Sequence, residues 1–273
     1  MDALVVSRLV NAQAASRGSL TRRVLRIVLA IFRRFDGWYS NSLVTEVAEQ
    51  VASVVLSGSR GVAAVTDAYL SRVASEVIEA SVAPVGVELV EPLRLGVPSL
   101  VEVYERVAKE YRYQVSTGVP DAAALDRAVD RAEAMVEMDM ALAHREQSRK
   151  FMVVNEVDGF RRIVRPELSK GGSCGLCIVA SDRIYHQGEL LPIHDRCNCE
   201  VLPIINSVDP GQSLNSDDLN ALYAAAGGTT SGAALKNVRV TTYQHGELGP
   251  ILVNAAHRVR TQDDARRDLR DVA

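Results

Sequence analysis

The chain has 273 residues, 47% of them hydrophobic and 5% aromatic, with a formal charge of -3. That length supports a sizeable core in one large domain or two modest ones, and the near-neutral balance excludes a molecule that binds nucleic acid over its whole surface. The apolar set is dominated by Ala and Val, which favours packed helices because alanine loses no side-chain entropy in a helix.

Residues 1 to about 36 are basic: Arg8, Arg17, Arg22, Arg23, Arg26, Arg33 and Arg34 are set against Asp2 and Asp36 alone. Asp2 stands where a secretory leader needs a basic residue, so no signal peptide is expected. The apolar run 24–32 is too short for a bilayer and carries Arg26, so no membrane partner is expected either. Ser19 is a plausible N-cap for an amphipathic basic helix reaching Arg34, with Leu25, Val28, Leu29 and Phe32 at helical spacing. Its arginines read either as a solvated face or as contacts to a phosphate backbone or an acidic partner. On the second reading the candidate binding residues are Arg17, Arg22, Arg23, Arg26, Arg33 and Arg34.

From Asn41 the pattern stays helical, with Leu43, Val44, Val47, Val51, Val54 and Val55 on one face. Gly58 and Gly61 predict a break before a second helix over about 62–80. Pro84, Gly86, Pro92, Gly96 and Pro98 mark a loop, and a third helix follows over about 99–116. After Pro120, with Asp121 as N-cap, comes a long charged helix with many pairs at helical spacing. It suits contact with other copies or other proteins. Met135, Met138, Met140 and Met152 read as core filler, and His144 as a solvated residue of this helix. Val153-Val154 and Ile163-Val164 are β-prone runs, with Asp158-Gly159 as the turn between them. Further strands are expected at 201–205 and 238–243, a short helix around 217–226, a turn at 245–250 and a charged tail.

The stretch 171–200 holds all four cysteines: Cys174 and Cys177 as CxxC, Cys197 and Cys199 as CxC, with His194 three residues before Cys197. Zinc takes four thiolate or imidazole ligands in a tetrahedron, and a CxxC knuckle delivers two. The first ligand set is the four cysteines, and the second exchanges one CxC sulfur for His194. A structural Zn2+ is the expected cofactor, with disulfides or plain core thiols as the alternatives. Four or five protein ligands leave no open position for catalytic water, although Glu189 and Glu200 stand near in sequence as bases. His186, His245 and His257 are isolated. The whole reads as an α+β protein: a mainly helical N-terminal region with long helices over 1–150, a small β-containing, zinc-knuckle-like Cys/His region over 151–206, and a C-terminal extension over 207–273.

The segment 159–204 resembles the MuF-like minor capsid or head-morphogenesis proteins of tailed bacteriophages, of the actinobacteriophage type. The likeness is carried by Cys174/Cys177 followed by Pro192, His194, Cys197 and Cys199 as P-x-H-x-x-C-x-C, with the RRxxxPEL lead-in and the later YQHGELGPIL. It implies a non-catalytic virion protein inside the head near the portal, assembled in the host cytoplasm. The implied partners are portal or major capsid protein, non-specific double-stranded DNA through the basic helix, and further copies of the chain. No HExxH occurs and no paired catalytic motif is read, so no residues are assigned to a capsid maturation protease. The rival readings are a zinc-dependent nuclease or hydrolase, in which His194 or Glu189 activates water, and a sequence-selective nucleic-acid-binding regulator.

Overall fold

The computed structural model describes residues 3–89, 93–94, 96–165, 180–181, 183–186, 199–212, 214, 240–245 and 249–254. Four long helices come first: α1 (Ala3–Arg34), α2 (Asn41–Arg72), α3 (Leu100–Ser116) and α4 (Asp121–Val154). A π-helical turn, Val73–Val77, extends α2. The strands are β1 (Gly159–Ile163), β2 (Ile184–Tyr185), β3 (Glu200–Ile204), β4 (Val240–His245) and β5 (Gly249–Asn254). No described helix is long and apolar enough to cross a membrane.

Local chemistry sets several helix ends. The Ser40 hydroxyl accepts from the Leu43 amide at 3.4 Å and the Ser99 hydroxyl from the Glu102 amide at 3.2 Å, so each satisfies one free donor of a first turn. Gly118, at φ 85°, ends α3, with its amide on the Val115 carbonyl and that of Val119 on the Gln114 carbonyl. Pro120 is the cap of α4, without a side-chain cap bond, and Asp121, expected as the cap, is the first helical residue.

Two expected boundaries move. The first helix begins at Ala3, not Ser19, because Val6, Leu9, Val10, Gln13, Ala14 and Arg17 carry the buried stripe further back. The expected break at Gly58 and Gly61 does not occur, and α2 runs through both. At Gly58 the helices are too close for a side chain: a Cβ there would lie 2.3 Å from Val24 Cγ2 of α1. The glycine permits packing rather than ending a helix.

Paired residues give the helix directions. Val24 meets Gly58 and Gln13 meets Thr66, so α1 and α2 are antiparallel. Gly58 meets Met140 and Thr66 meets His144, so α2 and α4 are parallel. Tyr104 meets Asp139 and Glu110 meets Arg131, so α3 opposes α4. Half of the 34 residues of α4 are buried, Met135, Met138, Met140 and Met152 among them. The charged helix is thus a central one, with its other half left partly or fully exposed.

The bundle has two apolar cores, end to end. The first joins the C-terminal half of α1, the N-terminal half of α2, α3 and the first part of α4, around Phe32, Trp38, Tyr104, Tyr111 and Val136. The second joins the opposite ends of α1, α2 and α4 to the sheet, around Leu70, Phe151, Phe160 and Leu202. The sheet has the order β2-β1-β3 and is antiparallel, with Phe160 opposite Tyr185 on one side and Pro203 on the other. Every residue of β1 and β3 is buried, so the sheet is packed rather than solvated on one face. Val153 and Val154 are not a strand: they close α4 and are 48% and 60% exposed. Strands β4 and β5 form a separate antiparallel pair with His245 opposite Gly249, where a strand and turn were expected. The helix expected around 217–226 lies outside the described residues.

Candidate functional site

A layer of buried polar side chains separates the two cores. On α1 it is formed by Gln13 and Arg17, between Val10 of the second core and Val24 of the first. Thr66 of α2 and His144 of α4 lie at the same level, and Glu200 enters as the first residue of β3. The Arg17 guanidinium lies 3.0 Å from Glu200 Oε1, with side-chain exposures of 4% and 0%. His144 Nε2 lies 3.4 Å from Glu200 Oε2. Its Nδ1 is 3.0 Å from the Thr66 hydroxyl, which also accepts from Gln13 Nε2 at 3.1 Å. Burial pushes the His144 imidazole well below its usual range, and the guanidiniums of Arg17 and Arg145 push the same way. A neutral ring with its proton on Nε2 fits these contacts. That proton faces the carboxylate, and Nδ1 accepts from a Thr66 hydroxyl that shares its hydrogen with the Val62 carbonyl at 2.8 Å.

Tyr69 ties the same corner to the sheet, its hydroxyl donating to the Val201 carbonyl at 3.1 Å. Burial and the Glu200 charge hold this phenol well above its ordinary range, against Arg165 and Arg17. Alongside, Asp67 accepts from the amides of Val85 and Gly86, each at 3.1 Å. The Gln147 amide spends its two protons on Asp67 and on the Gly86 carbonyl, at 3.2 and 2.9 Å. Further along the connection to α3, Arg94 donates to Asp139 at 2.7 Å and to the Met135 carbonyl at 2.9 Å, and Tyr104 donates to the other Asp139 oxygen at 2.7 Å. Burial raises the Asp139 pKa, opposed by Arg94 and by the Tyr104 hydrogen bond. In β1, Arg161 makes a double contact with Asp209 at 2.9 and 2.5 Å. The Arg162 guanidinium lies over the Phe160 and Tyr185 rings, 5.6 and 5.0 Å from their centroids.

Chemically, the central cluster is a fastening. It joins α1 to β3 through a desolvated ion pair, with His144 and Glu200 both buried. Three sequence expectations are corrected here. His144 is not solvated on a charged helix but 1% exposed. Arg17 belongs to the interior and leaves the set of surface cations. Glu200 is not placed to activate solvent water, since it is fully buried against Arg17 and His144. A sequence signal for Arg17 existed: it stands seven residues from both Val10 and Val24, on the apolar stripe itself.

Six other arginines of α1, namely Arg8, Arg22, Arg23, Arg26, Arg33 and Arg34, are exposed. By helical geometry Arg8, Arg22, Arg26 and Arg33 fall within an arc of about 40°, which Arg23 and Arg34 widen to about 120°. None of the six forms an ion pair among the described residues. Arg34 shares a groove with Asp36 and Glu46, whereas the groove beside Arg23 is lined by Leu20, Ile27, Val54, Ser53 and Ser57 and carries no acid.

Of the candidate metal ligands, Cys199 is buried, 8% exposed, immediately before β3. Cys174, Cys177, His194 and Cys197 lie outside the described residues, as does Glu189. Among the described residues no three His, Cys, Asp or Glu side chains are grouped to hold a metal. Comparison of the chain with protein-family models, with curated proteins and with solved structures finds no match.

Proposed function

We propose that the chain is a non-catalytic head-morphogenesis protein of the MuF-like minor capsid type, acting inside the head of a tailed phage near the portal. The observation that carries this reading is the spacing of Cys174, Cys177, Pro192, His194, Cys197 and Cys199. The fold supports it in one respect. The residue after the last cysteine, Glu200, is bolted to α1 and α4 by Arg17 and His144, so one end of the motif is continuous with a rigid helical body. That is the construction of a structural staple. A zinc ion held by four of Cys174, Cys177, His194, Cys197 and Cys199 would add stability to the same corner. Portal and major capsid proteins are the partners this reading assigns.

Mass spectrometry of purified phage particles tests the role. The chain is expected in particles at low copy number, and its absence from them overturns the virion assignment. Metal analysis and a nuclease assay on the purified chain test the rival hydrolase. Stoichiometric zinc without cleavage, retained in His194→Ala, fits the staple. Metal-dependent cleavage lost in that variant establishes the hydrolase instead.

A further inference from the structure

We infer that the exposed arginine face of α1 is a docking surface for the phosphate backbone of double-stranded DNA, bound without regard to sequence. The charge distribution points first to a polyanion. The chain carries a formal charge of -3, yet α1 contributes seven arginines and no acid, so the remainder carries -10. With Arg17 spent on Glu200, six guanidiniums remain at the surface, none in an ion pair among the described residues. They extend over a rise of about 39 Å from Arg8 to Arg34, longer than a short acidic motif needs. Unopposed like charges in one row repel each other, and a polyanion removes that repulsion.

The residues between the arginines decide which polyanion. The rest of this face is small or polar: Ala12, Ala15, Ser16, Ser19 and Ala30 are all exposed. A protein partner is held mainly by aromatic or aliphatic anchors in pockets, and between Arg8 and Arg34 Ile27, at the edge and 41% exposed, is the one large apolar residue that is exposed, Leu20, Leu25 and Leu29 being partly buried. Single strands are bound by stacking bases on aromatic rings, and no aromatic residue is exposed on this face. A duplex presents phosphates and asks for neither. Small residues let its backbone approach closely, and each guanidinium can meet a phosphate in a bidentate contact. Because α1 packs on α2 and α4 along its other side, it lies across the backbone instead of entering a groove, so it meets no base edges. The groove beside Arg23 adds the hydroxyls of Ser53 and Ser57 as further phosphate donors. The choice of DNA over an RNA duplex rests on the head-protein reading; the duplex surface does not.

The experiment is a salt titration of binding to fluorescently labelled duplex DNA by the purified full-length chain, followed by anisotropy. Two duplexes of unrelated sequence are expected to bind equally. Each phosphate contact contributes about -0.9 to the slope of log K against log salt, so the triple variant Arg22→Gln/Arg26→Gln/Arg33→Gln is expected to reduce the slope by about 2.7. All three positions are exposed, and a far-ultraviolet circular dichroism spectrum matching the wild type shows that the fold is kept. The Arg→Lys triple at the same positions retains the charges and most of the slope. No binding at low salt, an unchanged slope in the glutamine variant, a marked preference for one sequence, or tighter binding to an RNA duplex, a single strand or an acidic peptide than to duplex DNA overturns the inference. Particle mass spectrometry can fail while this titration succeeds, and the reverse, so the two readings are judged separately.

Discussion

Arg17 and Glu200, at opposite ends of the described core, meet 3.0 Å apart where neither side chain reaches solvent. Removing one member of a buried pair strands the other charge, which costs about 3–5 kcal/mol. Arg17→Met and Glu200→Leu are each expected to lower the unfolding free energy by about that amount in urea denaturation. The double variant, with no charge left unpaired, is expected to lose less than the two single losses combined. Strict additivity in this cycle would show that the two side chains do not act as a pair.

The connection between α2 and α3 is held by a second buried group. Asp139→Ala leaves the Arg94 guanidinium buried without its carboxylate, and about 3–5 kcal/mol is expected to be lost. Tyr104→Phe removes one hydrogen bond to a charged acceptor and leaves the ion pair, so about 1.5–3 kcal/mol is expected. Chemical denaturation of both variants at neutral pH ranks them. Equal losses would mean that the phenol, not the guanidinium, holds Asp139.

Gly58 and Gly61 separate close packing from helix propensity. A Cβ at Gly58 meets Val24 Cγ2 at 2.3 Å, whereas one at Gly61 meets only Leu20 methyls at 3.5 and 3.6 Å. Alanine is the better helix former by about 1 kcal/mol, so Gly61→Ala is expected to stabilise by up to that amount. Gly58→Ala is expected to destabilise by about 1–3 kcal/mol through overpacking, with partial rescue by Val24→Ala. Thermal or urea unfolding reads both signs, and a stabilising Gly58→Ala would mean that α1 sits further away than 2.3 Å implies.

These positions show where the sequence was legible. The starts of α3 and α4 were, because Ser99 and the Pro120-Asp121 step act on their own first turns. The short apolar run at 201–205 points to β3, and the methionines of α4 read as core. What failed depended on distant partners. Arg17 and Gln13 interrupt the stripe of α1, and Glu200 from β3 and Thr66 from α2 offset the cost of burying them. His144 looked solvated among charged neighbours because nothing local announces that α4 is central. Gly58 carries the same composition signal whether it ends a helix or lets another approach. Of the candidate metal ligands, Cys199 lies among the described residues.

The neutral His144 gives stability a pH dependence whose sign can be worked out. In the folded protein burial, Arg17 and Arg145 hold the imidazole well below its ordinary range. In the unfolded chain it takes up a proton near its usual pKa of about 6.5. Below that pH the unfolded state therefore binds more protons than the folded one, and stability falls as pH falls, by up to about 1.4 kcal/mol per pH unit. Above about pH 7.5 the ring is neutral in both states and contributes no slope. His144→Gln removes the titration while keeping an amide that can donate towards Glu200. Urea unfolding of wild type and variant between pH 8 and pH 5 is expected to give a stability difference that is flat at the alkaline end. The wild type then loses stability faster once the pH drops through 6.5. A difference that stays constant to pH 5 would mean that the imidazole titrates alike in the folded and unfolded chain, and a wild type that gains stability as the pH falls from 8 to 6.5 would mean that Glu200 keeps it charged in the folded protein.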